Sequence, residues 1–370
     1  MERKITFGQW ETVCMLITML TTKVILNYPR GLASIGGPAA WLVCVYYFFI
    51  VTAVFYIISK LYGRFEGKDL MDIGESIGGK LLKIIVGVIL LGFLIPLMSI
   101  YLRTYSEEMK VISLSNSPLS FVMMFFITGT VVSSYLGLEG IVRIQAFVIP
   151  IVAVVFTLFI ITFLPRVEFS NFTPILGTGP KEVFIKSITK LAGYSELIFL
   201  FFAAPFIKKL AEFKKAGHKA ITISTLIVLI TTFVYTGVYP YPSVLEGYVP
   251  VYELGRMIGF GRFLERFESI FIFIWAIFGL MYLSVMFYFI VHVFRKTFDL
   301  QYQRPLILPF AILVFDISFL LERLINTIDI TILIRDWSFI VVLCMTIILL
   351  VLGRFIGKDK NKPKKEKRFV

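Results

Sequence analysis

The sequence has little charge, few histidines and few cysteines. Charged residues make up 16% of its 370 positions, and it contains 2 histidines and 3 cysteines. Cys14, Cys44 and Cys344 each lie in an apolar run, without CxxC spacing and without a neighbouring histidine. The sequence therefore supports neither a disulfide framework nor a metal site.

Signatures of catalysis and of secretion are also scarce. The metalloprotease pattern HExxH and the phosphate-binding pattern GxxxxGK[ST] are both missing, so we predict that the chain is not an enzyme and needs no cofactor. The apolar run that starts at Phe7 has no small-residue cleavage site after it. We expect it to be retained as a first helix.

Apolar residues, in contrast, are abundant. They make up 58% of the sequence, above the 45–50% typical of soluble domains, and they form runs of about 20 residues that can cross a hydrocarbon core. We predict an all-α integral membrane protein, with a polytopic membrane domain over residues 1–357 and a basic cytoplasmic tail over 358–370. The predicted spans are 8–36, 38–59, 80–108, 118–136, 141–164, 183–207, 218–240, 264–294, 305–322 and 336–356.

The net charge of +13 lies mainly in short segments between these spans and in the tail. Most lysines and arginines fall in the segments that are internal if the N-terminus is cytoplasmic, which predicts that both termini are cytoplasmic. This distribution indicates membrane topology rather than nucleic-acid binding. For the tail it favours contact with anionic lipid over a dedicated docking site.

Ten spans with both ends inside are compatible with two five-helix halves inserted in opposite senses, and interrupted helices at matching positions would mark the binding site. Polar residues interrupt spans one and six, as such a repeat requires. The predicted ligand-binding residues beside these breaks are Thr21, Thr22, Lys23, Val24, Gly193, Tyr194, Ser195 and Glu196.

Lys23 and Glu196 are the sharpest candidates, because an ionisable group inside a span costs about 2.5–3.5 kcal/mol on insertion scales. If span one breaks at Thr21-Thr22, the carbonyls at the end of the half-helix favour an ammonium. Lys23 could then replace a sodium ion, meet a substrate carboxylate, or pair with Glu196 for structure alone. Glu196 could receive a substrate amine, pair with Lys23 or carry a proton. Gly193 would allow close backbone approach to a ligand, or simply close packing.

Other charged residues fall near the outer ends of spans three and eight. Arg103 and Glu107 are spaced i, i+4, so they share a helix face, and we expect a structural pair rather than a ligand contact. We assign this pair to coupling or to a gate. Glu265 and Glu268 open span eight and are assigned to an outer gate or a structural lock. Segments 60–79 and 323–335 are predicted to lie at the membrane interface as amphipathic pieces.

Several of these motifs together resemble one known family. They are Tyr28-Pro29-Arg30 at the end of span one, the Arg103 and Glu107 pair, the lysine-rich segment 208–215, and Glu265-Arg266-Phe267-Glu268-Ser269 followed by Trp275. The last is the most specific. With them, nearly the whole chain resembles the B subunit of spore germination receptors. These form the endospore germination permease family, within the amino acid/polyamine/organocation transporter superfamily.

The resemblance implies ten helices in a leucine-transporter-like inverted repeat, with a pocket between spans one, three, six and eight. It also implies residence in the inner membrane of dormant spores and recognition of germinants such as amino acids, together with receptor A and C subunits. In one respect this chain departs from the superfamily pattern. Thr21-Thr22-Lys23 stands where a glycine-rich stretch is common, which argues against simple sodium coupling.

Our leading hypothesis from the sequence is a germinant-sensing subunit. By analogy with broken-helix transporters, a ligand carboxylate would face the backbone amides of Lys23-Val24-Ile25, and its amine would face Gly193 to Glu196. The alternative is a proton-coupled amino-acid permease that uses Lys23 or Glu196. A third possibility is a channel for ions or water.

Overall fold

A computed structural model describes residues 7–207, 209–247, 249–257, 267–320 and 324–356 of the chain. Regular structure in these ranges is helical, with no β-strand. The α-helices are α1 Gln9–Ile25, α2 Tyr28–Gly36, α3 Ala40–Tyr62, α4 Leu70–Ile112, α5 Leu119–Leu136, α6 Leu138–Phe163, α7 Pro180–Phe184, α8 Ile198–Ala203, α9 Leu210–Val238, α10 Pro250–Arg256, α11 Phe267–Thr297, α12 Arg304–Phe319 and α13 Leu324–Ile356. A 3-10 helix over Lys186–Leu197 precedes α8, and we call it the 3-10 segment.

Within the described ranges, eight helical stretches are long and apolar enough to cross a membrane. Two shorter helices, α1 with 17 residues and α12 with 16, complete the predicted ten-span order. Span one consists of α1 and α2, span six of the 3-10 segment and α8, and the other spans of α3, α4, α5, α6, α9, α11, α12 and α13. The predicted fold class, an inverted repeat of about ten helices with spans one and six interrupted, is confirmed.

The first break lies later in span one than the sequence pattern suggested. Thr21 and Thr22 do not interrupt α1, because their hydroxyls donate to the carbonyls of Ile17 and Thr18 one turn earlier, at 2.7 and 2.6 Å. The helix ends at Ile25, and the chain turns at Leu26 and Asn27 before α2 begins. Pro29 explains this position, since it has no N–H to donate to the carbonyl of residue 25. The predicted break at Thr21-Thr22 is therefore wrong.

The break in span six is where the sequence indicated. Instead of an α-helix, the chain forms the 3-10 segment, whose Leu191–Glu196 stretch is buried. α-Helical geometry resumes at Ile198, when the apolar run begins again. A 3-10 stretch of this length is uncommon and often marks a functional site or a strained sequence.

Buried helices surround these two breaks, while large apolar side chains cover the outer faces of the molecule. α1 packs against α6, α9 and α11, and α4 packs against α5, α11 and α13. Phe49, Phe121, Phe147 and Phe273 are exposed on outward-facing helix surfaces. Soluble proteins rarely expose so much apolar surface, and lipid is the solvent that suits it.

Segment 60–79, predicted to be an amphipathic piece at the membrane interface, joins spans two and three, and its position relative to the membrane stays a prediction. A capping box starts its helix, with the Asp69 side chain accepting from the Asp72 amide and the Asp72 side chain from the Asp69 amide. Lys296 at the end of α11 pairs with both carboxylates, at 2.5 and 2.7 Å. Glu66 accepts from the Leu210 amide at the start of α9. The segment is thus tied to two other spans.

The second predicted interfacial piece, 323–335, is not a separate element. From Leu324 onward the chain belongs to α13, which continues through span ten as one helix. Arg335 therefore lies inside a long helix and is buried, only 8% exposed. The placement of Arg335 in an outer interfacial segment is wrong, because helix propagation from the apolar run extends past the charged residues Arg335-Asp336.

Candidate functional site

Lys23 joins the two interrupted spans. It lies near the end of α1, 3% exposed, and its ammonium donates a hydrogen bond to the backbone carbonyl of Gly193 in the 3-10 segment. Its Nζ also lies 4.8 Å from the ring centroid of Tyr28 and 4.1 Å from that of Tyr194. Aromatic faces attract cations at these distances. A buried ammonium is therefore held by one carbonyl and two rings, none of which neutralises its charge.

Tyr28, on the far side of the first break, makes a second link to the 3-10 segment. Its hydroxyl donates to the carbonyl of Lys190 at 3.0 Å. A Cβ atom at Gly193 would lie only 2.7 to 2.9 Å from atoms of the Tyr28 ring. Position 193 therefore requires glycine, because a side chain there would clash with the Tyr28 ring. This favours close packing between the two spans, rather than close approach to a ligand, as the reason for Gly193.

Glu196 lies three residues beyond Gly193 and is 1% exposed. Its carboxylate accepts hydrogen bonds from Tyr101 of α4 and Tyr282 of α11, both at 3.4 Å, and from Ser195 at 3.2 Å. It also interacts electrostatically with Lys23. Spans one, three, six and eight therefore meet around one carboxylate and one ammonium, which is the arrangement that the family resemblance implies.

Arg335 is a charged group that our sequence reasoning did not assign to this site. It comes from α13, which packs against α4 and the 3-10 segment, and it interacts electrostatically with Glu196, Tyr101 and Tyr28. Its Nε has no hydrogen-bond partner. In the sequence, Arg335 is marked only by its position next to an apolar run. Because segment 323–335 was predicted to lie at the membrane interface, Arg335 was not predicted to line the site.

The remaining predicted ligand-binding residues are buried at the same place but have local partners. Thr21 and Thr22 donate to carbonyls of their own helix, and Val24 is 2% exposed within α1. The Tyr194 hydroxyl is 2.9 Å from Thr225 Oγ1 on α9. Tyr194 and Ser195 also line a crevice of about 360 Å³ between α3, the 3-10 segment and α13, a volume typical of small-ligand pockets.

One predicted contact is corrected by the position of the break. Because α1 continues to Ile25, the amides of Lys23-Val24-Ile25 belong to a helical turn, and such amides bond to carbonyls one turn earlier. They cannot also receive a ligand carboxylate. The prediction of amides exposed at 23–25 is wrong, and the charged side chains of the site remain as candidate partners for a ligand.

Near the C-terminal end of α4, Arg103 Nε donates to Glu107 Oε1, so the predicted pair forms. The neighbouring Glu108 is buried more deeply, 1% exposed, and neither of its carboxyl oxygens has a hydrogen-bond partner. Our sequence predictions did not include Glu108. It lies seven residues after Tyr101 and three after Tyr105, so it shares a helix face with both tyrosines. A buried carboxyl that lacks a well-formed hydrogen bond is costly even with the Trp275 indole nearby, which makes Glu108 a candidate functional group.

Other predictions lie outside the described part of the chain. Glu265, assigned to a gate or lock, and the tail 358–370 are among the residues that are not described. Glu268 belongs to α11, but its side chain is likewise outside the description. These assignments stay predictions.

Two further observations concern catalysis and metal binding. Gly74-Glu75-Ser76-Ile77-Gly78 matches GxSxG by its letters, but Ser76 lies in a helical turn and donates to the Ile73 carbonyl at 2.8 Å. A nucleophile elbow requires a strand-to-helix turn instead. In the described ranges, no group of histidine, cysteine, aspartate and glutamate side chains is arranged to hold a metal ion.

Comparison with known sequences identifies relatives along most of the chain. A family model described as "Spore germination protein" matches residues 4–328. Spore germination protein B2 of Bacillus subtilis (strain 168) is 24% identical over 272 residues, 72% of each chain. Spore germination protein A2 of the same organism is 22% identical over 287 residues, 77% of this chain and 78% of the relative. Spore germination protein GerQB of Bacillus cereus is 24% identical over 322 residues, 84% of this chain and 85% of the relative.

Comparison with solved structures identifies proteins of the same fold. MhsT in complex with L-phenylalanine superimposes with a TM-score of 0.70 and 14% identity, covering 96% of this chain and 90% of that one. Mhp1, a nucleobase-cation-symport-1 family transporter in a closed conformation with bromovinylhydantoin bound, gives a TM-score of 0.63 and 12% identity, covering 96% and 94%. At these identities the likeness establishes the fold alone.

Proposed function

The chain belongs to the spore germination protein family, and from that premise we propose that it is the germinant-sensing transmembrane subunit of a spore nutrient receptor. It binds a small nutrient, an amino acid in our proposal, where spans one and six are interrupted. The subunit resides in the inner membrane of the spore with both termini in the cytoplasm, acts without catalysis, and signals to receptor A and C subunits.

The observation that carries this proposal is the hydrogen bond from Lys23 to the Gly193 carbonyl. It joins the two breaks directly, beside the buried carboxylate of Glu196. Intramembrane ionisable groups are costly and commonly mark substrate or ion pathways. In broken-helix transporters the substrate binds at such breaks, and the structural neighbour MhsT has been solved in complex with L-phenylalanine.

Signalling follows if the ligand competes for these groups. A ligand carboxylate that bonds to Lys23 takes the place of the Gly193 carbonyl, and a ligand amine bonds to Glu196. Spans one and six then change their contact. A ligand shifts a conformational equilibrium only by its difference in affinity for the two states, so exchanging the Lys23 bond for a ligand bond supplies that difference.

A proton-coupled amino-acid permease is the competing function. The transporter fold and the buried Lys23 and Glu196 favour it, since both side chains can gain or lose a proton. Sensing and transport need the same binding site and differ in whether the ligand crosses the membrane.

Ligand-dependent thermal stabilisation of the purified full-length protein tests the proposal. The panel comprises amino acids, sugars and nucleosides, and each compound is repeated with Lys23→Ala and Glu196→Ala. We expect at least one amino acid to raise the thermal midpoint of the wild type and neither variant to respond. Lys186→Ala and Glu182→Ala are matched controls, because these two residues form a surface ion pair at the edge of the same region.

The proposed site is wrong if a ligand stabilises Lys23→Ala and Glu196→Ala as much as it stabilises the wild type. Uptake into proteoliposomes separates the two functions. Accumulation of the ligand against its gradient, driven by a proton gradient, would support the permease, whereas binding without uptake supports the sensor. Conductance in planar bilayers without ligand would instead point to a channel.

A further inference from the structure

The formal charges at the site do not balance. Two cationic side chains, Lys23 and Arg335, act on a single carboxylate, that of Glu196. The neighbouring half-buried side chains Asp336 and Lys190 carry opposite charges, and Asp336 interacts with Arg335 as well as with Lys190. Among the described side chains, the three cations Lys23, Arg335 and Lys190 therefore outnumber the two carboxylates Glu196 and Asp336 by one.

In the described part of the chain, Lys23 and Glu196 form hydrogen bonds only with uncharged groups. Lys23 is bonded to a neutral carbonyl and lies over two uncharged rings. Glu196 receives its hydrogen bonds from hydroxyl groups, so both cations act on it through space. An uncompensated charge in a low-dielectric interior is strongly unfavourable. A ligand that supplied one negative charge would remove that cost.

Arg335 has the geometry to receive this charge. It is 8% exposed, and its Nε has no partner, so the Nε–H edge of the guanidinium is available inside the bundle. Arginine recognises carboxylates with two parallel hydrogen bonds through its planar fork. Its neighbours Tyr28 and Glu196 belong to the two interrupted spans, so a carboxylate bound to Arg335 lies beside both breaks.

We propose that the site takes an anion, a small carboxylic or amino acid whose carboxylates outnumber its amino groups by one, and that Arg335 holds one of those carboxylates. The proposal rests on the function proposed above and narrows its ligand class. It also adds span ten to the four spans that form the site. An amine on the ligand, where present, pairs with Glu196, and a second carboxylate pairs with Lys23.

Matched ligand pairs test the inference in the purified full-length protein, with binding measured by calorimetry. L-Glutamate and L-glutamine have the same shape and differ by one negative charge, and L-alanine and L-alaninamide differ in the same way at the other carboxylate. We expect glutamate to bind at least about tenfold more tightly than glutamine, and alaninamide not to bind. A tenfold ratio corresponds to about 1.4 kcal/mol.

Variants of Arg335 test whether this residue causes the preference for glutamate over glutamine. Arg335→Gln should reduce the glutamate-to-glutamine ratio to about one, and Arg335→Lys, which keeps the charge but loses the fork, should retain part of it. Arg166→Gln is the control, because Arg166 is exposed and ends the short 3-10 helix that follows α6. The ratio measured in the wild type is informative even if an Arg335 variant fails to fold.

Two results would overturn the inference while leaving the proposed function intact. One is tighter binding of a neutral or cationic ligand than of any anion, provided that Lys23→Ala abolishes it. The other is an anion preference that Arg335→Gln leaves unchanged. If the wild type binds no compound of either panel, the proposed function falls together with the inference.

Discussion

The substitution Gly193→Ala tests how closely the two interrupted spans are packed. A Cβ atom at this position would lie 2.7 Å from Cε2, 2.8 Å from the hydroxyl and 2.9 Å from Cζ of Tyr28. The ring cannot move freely, because it is 4% exposed and its hydroxyl is bonded to the Lys190 carbonyl. Overpacking of this kind costs about 1–3 kcal/mol, and loss of the Tyr28 hydrogen bond adds about 1 kcal/mol.

We therefore expect Gly193→Ala to lower the unfolding free energy by about 2–4 kcal/mol, measured by titrating the detergent-solubilised protein with SDS. In a Tyr28→Ala background the clash is absent, so the cost of Gly193→Ala should fall below about 1 kcal/mol, and a double-mutant cycle isolates this coupling. Gly92→Ala is the control, since a Cβ on this α4 glycine meets no atom within 4 Å. Additive effects in the cycle, or equal effects at positions 193 and 92, would refute the packing argument.

Three further predictions concern stability. The hydrogen bond from Lys83 lowers the pKa of Asp299, and an acid with a lowered pKa in the folded state stabilises the fold above its ordinary pKa of about 4 and loses that contribution as pH falls. Asp299→Asn should thus lower the thermal midpoint at pH 7, with a smaller difference from wild type below pH 4. Tyr194→Phe removes the 2.9 Å bond to Thr225 and should cost about 1 kcal/mol in SDS unfolding. Gly79→Ala places a side chain at φ +66° and ψ −159°, a region open essentially to glycine alone, so its unfolding free energy should fall by about 1–3 kcal/mol.

The sequence predicted the span order and the two interrupted spans because both follow from local hydropathy. It also predicted that Lys23 and Glu196 lie beside these interruptions, since an ionisable residue within an apolar run is recognisable from the sequence alone. The break in span one was misplaced because two threonines resemble an interruption in the sequence, whereas in a helix their hydroxyls bond to the preceding turn. Pro29 was the more reliable signal, since proline removes a backbone donor whatever surrounds it.

Arg335 and Glu108 could not be assigned from hydropathy alone. Arg335 reaches the site only because α13 begins before the apolar run and packs against the 3-10 segment, which is long-range information. Glu108 adjoins Glu107 in the sequence, but successive helix positions differ by about 100°. Glu107 therefore pairs with Arg103, while Glu108 faces the buried tyrosines.

The contacts on either side of the first break have a mechanical consequence. Lys23 precedes the break and Tyr28 follows it, and both bond to carbonyls of the 3-10 segment, Gly193 and Lys190 respectively. Because two hydrogen bonds join the two interrupted spans, one span cannot move relative to the other unless at least one of these bonds breaks. A molecule that replaces either bond therefore changes the contact between the two interrupted spans.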